Sequence, residues 1–462
     1  MSPSSQTQQA ASSIGDYPLL TWFGDDFTGS AAVMEVLAFA GVPTVLFTDI
    51  PSDTLRARFA DSRAIGIAST ARSKNPEWMQ SNLPRYLQWL HDCSAPILHY
   101  KICSTFDSAP EVGSIGQGIE IGLAVRDSAG VPMITAAPDL RRYQAFGHLF
   151  AGTSDGVWRL DRHPVMSRHP VTPMNESDLL RHLSHQSGLP SALIDLEMLA
   201  ADAQDALENA LASGAKILSI DTMDELSEET VGRLLWKNRQ QLAFVVGSQG
   251  VEYALVRHWR AIGLLSPVSP ATSAGEVAAI AAVSGSVSPT TADQLDYAAS
   301  DGFELIEFPC ASVVASDSEQ ARAEADAIAK GVAAAQRGAS PLVYTARGPD
   351  DPAVDRFRRA LSSSRMDTGK ANARIGEALG RVLDGVLRTS ALRRAVISGG
   401  DTSGYAMKQL GLQALVALAP TIPGASICTG HGDTEHDGLE IALKGGQMGS
   451  RDFFGWVRRG GG

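Results

Sequence analysis

Two adjacent aspartates, Asp25 and Asp26, stand in the stretch Gly24-Asp25-Asp26-Phe27-Thr28-Gly29-Ser30, directly after an apolar run. Carboxylates at the carboxyl edge of a strand can accept hydrogen bonds from the hydroxyls of a polyol, and one of them can act as general base. The same residues suit a helix start, because aspartate is a good N-cap and favours the positive end of a helix. With two aspartates both roles can be filled at once. A second junction, His99-Tyr100-Lys101-Ile102-Cys103-Ser104-Thr105, puts Lys101 at a strand end with Ser104 just beyond it. Arg72, in Ser69-Thr70-Ala71-Arg72-Ser73, falls at an equivalent edge. Taken singly, each cation is an ordinary loop residue. Together Arg72 and Lys101 give a local positive patch for a small anion, with Ser104 as a hydroxyl donor.

The second half of the chain offers a different chemistry. Ser284-Gly285-Ser286-Val287-Ser288-Pro289 and Ser398-Gly399-Gly400-Asp401-Thr402-Ser403-Gly404 each follow an apolar run and open a helical pattern, and Lys444-Gly445-Gly446-Gln447-Met448-Gly449 lies near the end. Glycines let main-chain N–H groups approach phosphate oxygens, and a helix N-terminus adds partial positive charge. Three such loops in one region predict a nucleotide-phosphate site. There is no GxxxxGK[ST] motif, and Gly116-Gln117-Gly118 neither follows a strand nor matches GxGxxG, so neither a P-loop nor a dinucleotide fingerprint is read. The run from His431 to Asp437 has loop-like spacing, and no metal site is assigned to it.

Positioning these groups requires strand–turn–helix units. Short apolar runs at 19–23, 44–48, 64–68, 97–102, 192–195, 217–221 and 242–246 alternate with amphipathic stretches such as 30–40, 76–91, 177–185, 224–240 and 251–262. After the Pro/Ser/Ala-rich stretch 266–276 the alternation resumes, with strands at 279–283, 303–308, 342–345 and 395–397 and helices around 317–336, 371–387 and 402–410. This pattern predicts an α/β protein of two lobes, each a mainly parallel sheet flanked by helices, with a ligand cleft between them. The expected boundaries are a loose tail at 1–15, a first domain at 16–265, a linker at 266–276 and a second domain at 277–462.

Composition sets the outer limits. The 462 residues carry 39 basic and 51 acidic side chains, a formal charge of −12, which disfavours binding to nucleic acid or an anionic membrane. Four widely spaced cysteines suggest neither a disulfide framework nor a zinc site and fit a reducing cytoplasm. No apolar run reaches the roughly 18 residues of a membrane span. The residues do not fix an oligomeric state, and a homo-oligomer fits them as well as a monomer does.

The sequence resembles the four-carbon acid sugar kinase family over nearly its whole length. The resemblance is carried by GDDFTGS (24–30), HYKICSTFDS (99–108), GHLFAG (147–152), RHPVTPMNESDL (168–179), SGSVSP (284–289), SGGDTSG (398–404) and LKGGQMGSRDFF (443–454). It implies that Asp25, Asp26, Arg72 and Lys101 face an acid sugar. It also implies that Ser286, Gly399, Gly400, Asp401, Thr402 and Gly446 contact ATP, with Mg2+ carried by the nucleotide. The implied reaction is phosphorylation of a terminal hydroxyl of a 3-oxo-tetronate, threonate or erythronate, with Asp25 or Asp26 as the base. The chain departs from the family in having Gly399-Gly400-Asp401-Thr402 where GGET is usual, and Lys444-Gly445-Gly446-Gln447-Met448-Gly449 where KSGNFG is usual. The run 153–162 has no clear family counterpart. Competing readings are a non-catalytic sugar-acid or nucleotide sensor on the same fold, and a nicotinamide-dependent dehydrogenase, against which the missing fingerprint counts.

Overall fold

A computed structural model describes residues 18–153, 155–169, 171–267 and 271–462, and of Asp401 its backbone alone. The tail at 1–15 and part of the linker at 266–276 lie outside the described residues. The described part of Met1–Val45 and Arg56–Ser269 forms one compact unit, and Leu46–Leu55 with the described part of Pro270–Gly462 forms the other.

The strands of the first half are β1 (Leu20–Gly24), β2 (Thr44–Phe47), β3 (Ala64–Ala68), β4 (Ile97–Lys101), β5 (Val131–Ile134), β6 (Arg142–Ala145), β7 (His148–Thr153), β8 (Gly156–Arg159), β9 (Ser191–Ile194), β10 (Ile217–Ile220) and β11 (Phe244–Gly247). Parallel pairing joins seven of them in the order β3-β1-β4-β11-β5-β10-β9. β1, β3 and β4 are buried at every position, as expected of parallel strands covered on both faces. The register sets Gly24 beside Ala68 and Lys101, so the segments after β1, β3 and β4 emerge side by side. This is the edge where open α/β sheets hold ligands.

Three helices define the surroundings of that edge: α1 (Phe27–Phe39), α2 (Pro76–Asp92) and α3 (Ile115–Val125). The glycines of α3 serve packing. A Cβ on Gly118 would lie 2.2 Å from the Tyr100 ring, and one on Gly122 2.0 Å from the Phe244 ring, so two glycines one turn apart let the helix settle on the sheet. Gly118 is therefore a helix–sheet contact, and Gly116 packs on the Gln186 main chain, where a Cβ would lie 2.6 Å away, in keeping with the poor match of this stretch to a dinucleotide motif. Gly66 of β3 plays the same part within the sheet, since a Cβ there would fall 2.1 Å from the fully buried Trp22 indole. Gly66→Ala is expected to destabilise the protein by about 1–3 kcal/mol through overpacking, read as a lower denaturant midpoint at unchanged m-value.

The run 153–162 supplies β8 and a following single turn. β8 pairs antiparallel with β7, and β7 with β6, in a separate three-stranded sheet. Short bridges from Gln144 to Thr222 and from His148 to Asp178 attach it to the rest of the unit. Sequence alternation gives no hint of this sheet.

The second unit contains β12 (Ala281–Ser284), β13 (Phe303–Glu307), β14 (Ser340–Tyr344), β15 (Arg394–Ser398), β16 (Ala414–Ala419), β17 (Ile427–His431) and β18 (Glu440–Lys444). Its parallel core has the order β13-β14-β12-β15-β18. β17 then pairs antiparallel with β18, and β16 with β17. Leu46 and Phe47, from the end of β2, pair antiparallel with Leu415 and Ala414 of β16 inside this unit. Its longer helices are α4 (Pro289–Ser300), α5 (Asp317–Gln336), α6 (Pro352–Ser362), α7 (Thr368–Thr389) and α8 (Gly400–Gln409). Among the described residues no helix is long and apolar enough to cross a membrane.

Candidate functional site

In the first unit the residues after β1, β3 and β4 meet. Asp26 is the N-cap of α1, its Oδ1 accepting the Gly29 N–H at 3.1 Å. The Arg72 guanidinium donates through Nε to Asp25 Oδ2 at 3.1 Å and through Nη2 to Asp25 Oδ1 at 2.7 Å, and the same Nη2 reaches Asp26 Oδ1 at 2.6 Å. Lys101 Nζ stands 3.7 Å from Asp26 Oδ1. Main-chain bonds brace the arrangement: Asp25 N–H donates to the Lys101 carbonyl and Arg72 N–H to the Asp25 carbonyl. Gly29 makes room for the lysine, because a Cβ there would lie 1.8 Å from Lys101 Nζ. Capping and site geometry thus coexist at Asp26.

The four charges balance one another, so the cluster is a compact neutral group and not the bare positive patch that Arg72 and Lys101 suggested in sequence. The two aspartates differ within it. Burial pushes the Asp25 carboxyl above its ordinary range, against the pull of Arg72 and with repulsion from Asp26 adding to the rise. Burial acts on Asp26 as well, but Arg72, Lys101 and the Gly29 N–H outweigh it and hold that carboxyl low. Burial works against the Arg72 charge too, yet Asp25 and Asp26 keep the guanidinium well above its usual value. The Asp25 side chain is 3% exposed with both oxygens engaged. That of Asp26 is 23% exposed, and its Oδ2 has no hydrogen-bond partner among the described residues.

Ser104 lies in the loop after β4, half-buried, its hydroxyl without a partner among the described residues. That loop turns at Phe106, a non-glycine residue at φ 54° whose buried ring meets His182 edge-on. Sequence reasoning passed over the support beneath it. Thr172, buried, donates through Oγ1 to Asp107 Oδ1, and its N–H donates to His169 Nδ1 at 3.1 Å. The stretches 99–108 and 168–179 are therefore one structural assembly, a link that separation in sequence conceals.

The second unit holds a cavity of about 520 Å³. Five of the predicted nucleotide residues line it: Ser286, Gly399, Gly400, Thr402 and Gly446. The side chain of the sixth, Asp401, lies outside the described part. Gly399 sits at φ 131°, and a Cβ there would meet Thr402 Oγ1 at 2.7 Å. A Cβ on Gly446 would meet Ser286 Oγ at 2.5 Å, and one on Gly285 would meet Thr402 Oγ1 at 2.3 Å. The space beside these loops is open only because side chains are missing. Gly399 caps α8 without any side-chain acceptor, so the first N–H groups of that helix are left for a ligand. Much of the remaining wall comes from α6 and α7: Val354, Phe357, Leu361 and Ile375 are apolar, with Arg358, Thr368 and Asn372 as polar members. These were missed, although spacing at 354, 357 and 361 marks one face of a helix. A cavity that combines apolar helix side chains with main-chain N–H and hydroxyl donors fits a base and its phosphates.

Comparison with known proteins agrees with both halves. Residues 20–255 match the sugar-binding N-terminal domain family and residues 281–454 the nucleotide-binding C-terminal domain family. A Paraburkholderia graminis protein named 3-oxo-isoapionate kinase is 45% identical over 96% of this chain and 94% of its own length. A Pseudomonas fluorescens protein named 3-oxo-tetronate kinase is 30% identical over 95% of this chain and 96% of its own. A crystal structure of a Salmonella typhimurium LT2 protein superposes with a TM-score of 0.74 at 23% identity, covering 95% of this chain and 98% of that one, a likeness of fold. The chain belongs to the four-carbon acid sugar kinase family, with a sugar-binding N-terminal domain followed by a nucleotide-binding C-terminal domain.

Proposed function

We propose that the chain transfers the γ-phosphoryl group of ATP to a terminal hydroxyl of a small 3-oxo sugar acid. In this reading the domain at 16–265 holds the acid and the domain at 277–462 the nucleotide. The observation that carries it is the donor-rich wall of the 520 Å³ cavity, where three glycine turns and an uncapped helix N-terminus converge. The relatives' names supply the reaction class, and both name a 3-oxo acid. 3-Oxo-isoapionate therefore joins 3-oxo-tetronate, threonate and erythronate as a candidate.

Phosphoryl transfer depends on position and charge more than on covalent help from the protein. Asp26 offers its open Oδ2 to the acceptor hydroxyl. The acceptor oxygen bonds to the γ-phosphorus, the bond from that phosphorus to the bridging oxygen of ADP breaks, and the hydroxyl proton passes to the carboxylate. The low basicity of Asp26 suits a loose transition state in which the proton leaves late. Asp25 holds Arg72 in place, and Arg72, Lys101 and Ser104 receive the acid's carboxylate and oxygens. Ser286, Gly399, Gly400, Asp401, Thr402 and Gly446 hold the nucleotide. Mg2+ would travel with the nucleotide, whose phosphate oxygens are its ligands. This reading places the protein in the cytoplasm, where ATP is available.

The test is ADP release from ATP and Mg2+ with a panel of 3-oxo-isoapionate, 3-oxo-tetronate, threonate and erythronate. Release that depends on a 3-oxo acid is expected. Equal release without any acid would make the protein an ATPase, and no release with any acid would sink the reading.

A further inference from the structure

Lys444 closes β18 directly before the Gly445-Gly446 turn and is completely buried. Its ammonium donates to the Gly445 carbonyl at 3.0 Å and approaches Thr291 Oγ1 at 3.4 Å, with the Phe453 ring centroid 5.9 Å away. No carboxylate pairs with it among the described residues. A buried cation whose polar and ring contacts among the described residues are a carbonyl, a hydroxyl and a ring lacks its counter-charge. Burial alone lowers its pKa to about 8, with no neighbouring charge contributing.

The surroundings indicate what is missing. Thr291 Oγ1 lies 3.0 Å from Ser286 Oγ and 2.8 Å from the Gly446 carbonyl, and both Ser286 and Gly446 line the cavity. A hydroxyl relay therefore runs from the ammonium to the cavity wall. Ser284, Ser398 and Thr345, at the carboxyl ends of β12, β15 and β14, each have a buried side-chain oxygen without a hydrogen-bond partner. Three orphaned hydroxyls and one uncompensated ammonium gather under the same loops.

We propose that Lys444 is the buried counter-charge for the nucleotide's phosphates, acting from beneath the Gly445-Gly446 turn through Thr291 and Ser286, and that the protein takes up a proton there when nucleotide binds. Lys444 is a positioning residue, since it reaches the phosphates through other groups. The proposal rests on the nucleotide-binding role of this domain. Competing titrations are few: Thr291, Phe453 and the Gly445 carbonyl face the amine, and burial pushes the Cys310 thiol on the cavity wall up to about 12.

The experiment is calorimetric titration of the full chain with ADP between pH 7.5 and 9.5, in buffers of different ionisation enthalpy. Wild type is expected to take up about half a proton near pH 8 and nearly one at pH 9, its Kd rising toward tenfold per pH unit above 8. Lys444→Met is expected to bind at least about tenfold more weakly at pH 7.5 and to show no uptake, and Lys444→Arg to show no uptake and a flat affinity. ADP binding by wild type without proton uptake, or uptake that survives in Lys444→Met, would overturn the proposal. Should Lys444→Met fail to fold, wild-type uptake together with Thr291→Val decides it, the variant being expected to keep the uptake and lose affinity. No ADP binding by wild type would instead overturn the nucleotide reading itself.

Discussion

Asp26→Asn is expected to lower kcat by about 10²–10⁴, the range for loss of a group that accepts a proton in the transition state. ADP affinity should not change, because the cluster belongs to the other domain. The asparagine keeps the Gly29 cap, since its amide oxygen can take the place of Oδ1, but it leaves Arg72 and the buried Lys101 short of a counter-charge, so thermal stability should fall. The open Oδ2 is then replaced by an amide NH2 that can only donate, and Arg72 and Lys101 lose the charge they shared. Asp25→Asn acts by a different route. It removes half of a bidentate pair and leaves Arg72 misplaced, so its effect should fall mainly on KM for the acid. Steady-state kinetics of both variants with the best acid of the panel would separate these roles. Near-native kcat in Asp26→Asn combined with collapse in Asp25→Asn would reverse the assignment.

Gly399→Ala is expected to weaken ADP binding by more than tenfold and to lower stability by about 1–3 kcal/mol. The backbone at φ 131° lies where only glycine is comfortable, and the added methyl would stand 2.7 Å from Thr402 Oγ1. Relief requires the turn to move, which re-aims the N-terminal N–H groups of α8 away from the phosphates. Calorimetry with ADP and a denaturant titration measure the two effects separately. A variant that binds ADP as wild type does would show that this turn is not part of the phosphate site.

Much of this was legible before the structure. The helix around 317–336 is read close to its observed bounds, and the strands that lead to Asp25, Arg72 and Lys101 stand out as short apolar runs. Their meeting at one edge follows from parallel topology. What was not legible depends on pairing between distant segments. β6, β7 and β8 are short and carry arginine and tryptophan, and their first hairpin turns through Phe146-Gly147 at φ 49° and 79°, with a phenylalanine at the first turn position where asparagine or glycine would have made the signal plain. The antiparallel β16 and β17 interrupt a parallel pattern that local sequence simply continues. At the site, residue types announced two carboxylates and two cations, while their mutual neutralisation spans separations of 46 and 47 residues. The isolation of Lys444 is a property of what does not face it, and a sequence cannot display that.

The excursion of residues 46–55 bears on how the protein can be dissected. A gene fragment starting at the linker would encode a nucleotide half lacking the two-residue stretch that covers one side of Ala414 and Leu415. Bare main-chain donors and acceptors along that border invite self-association, so such a fragment should precipitate unless the excursion is grafted back or the border is blocked by a charged residue.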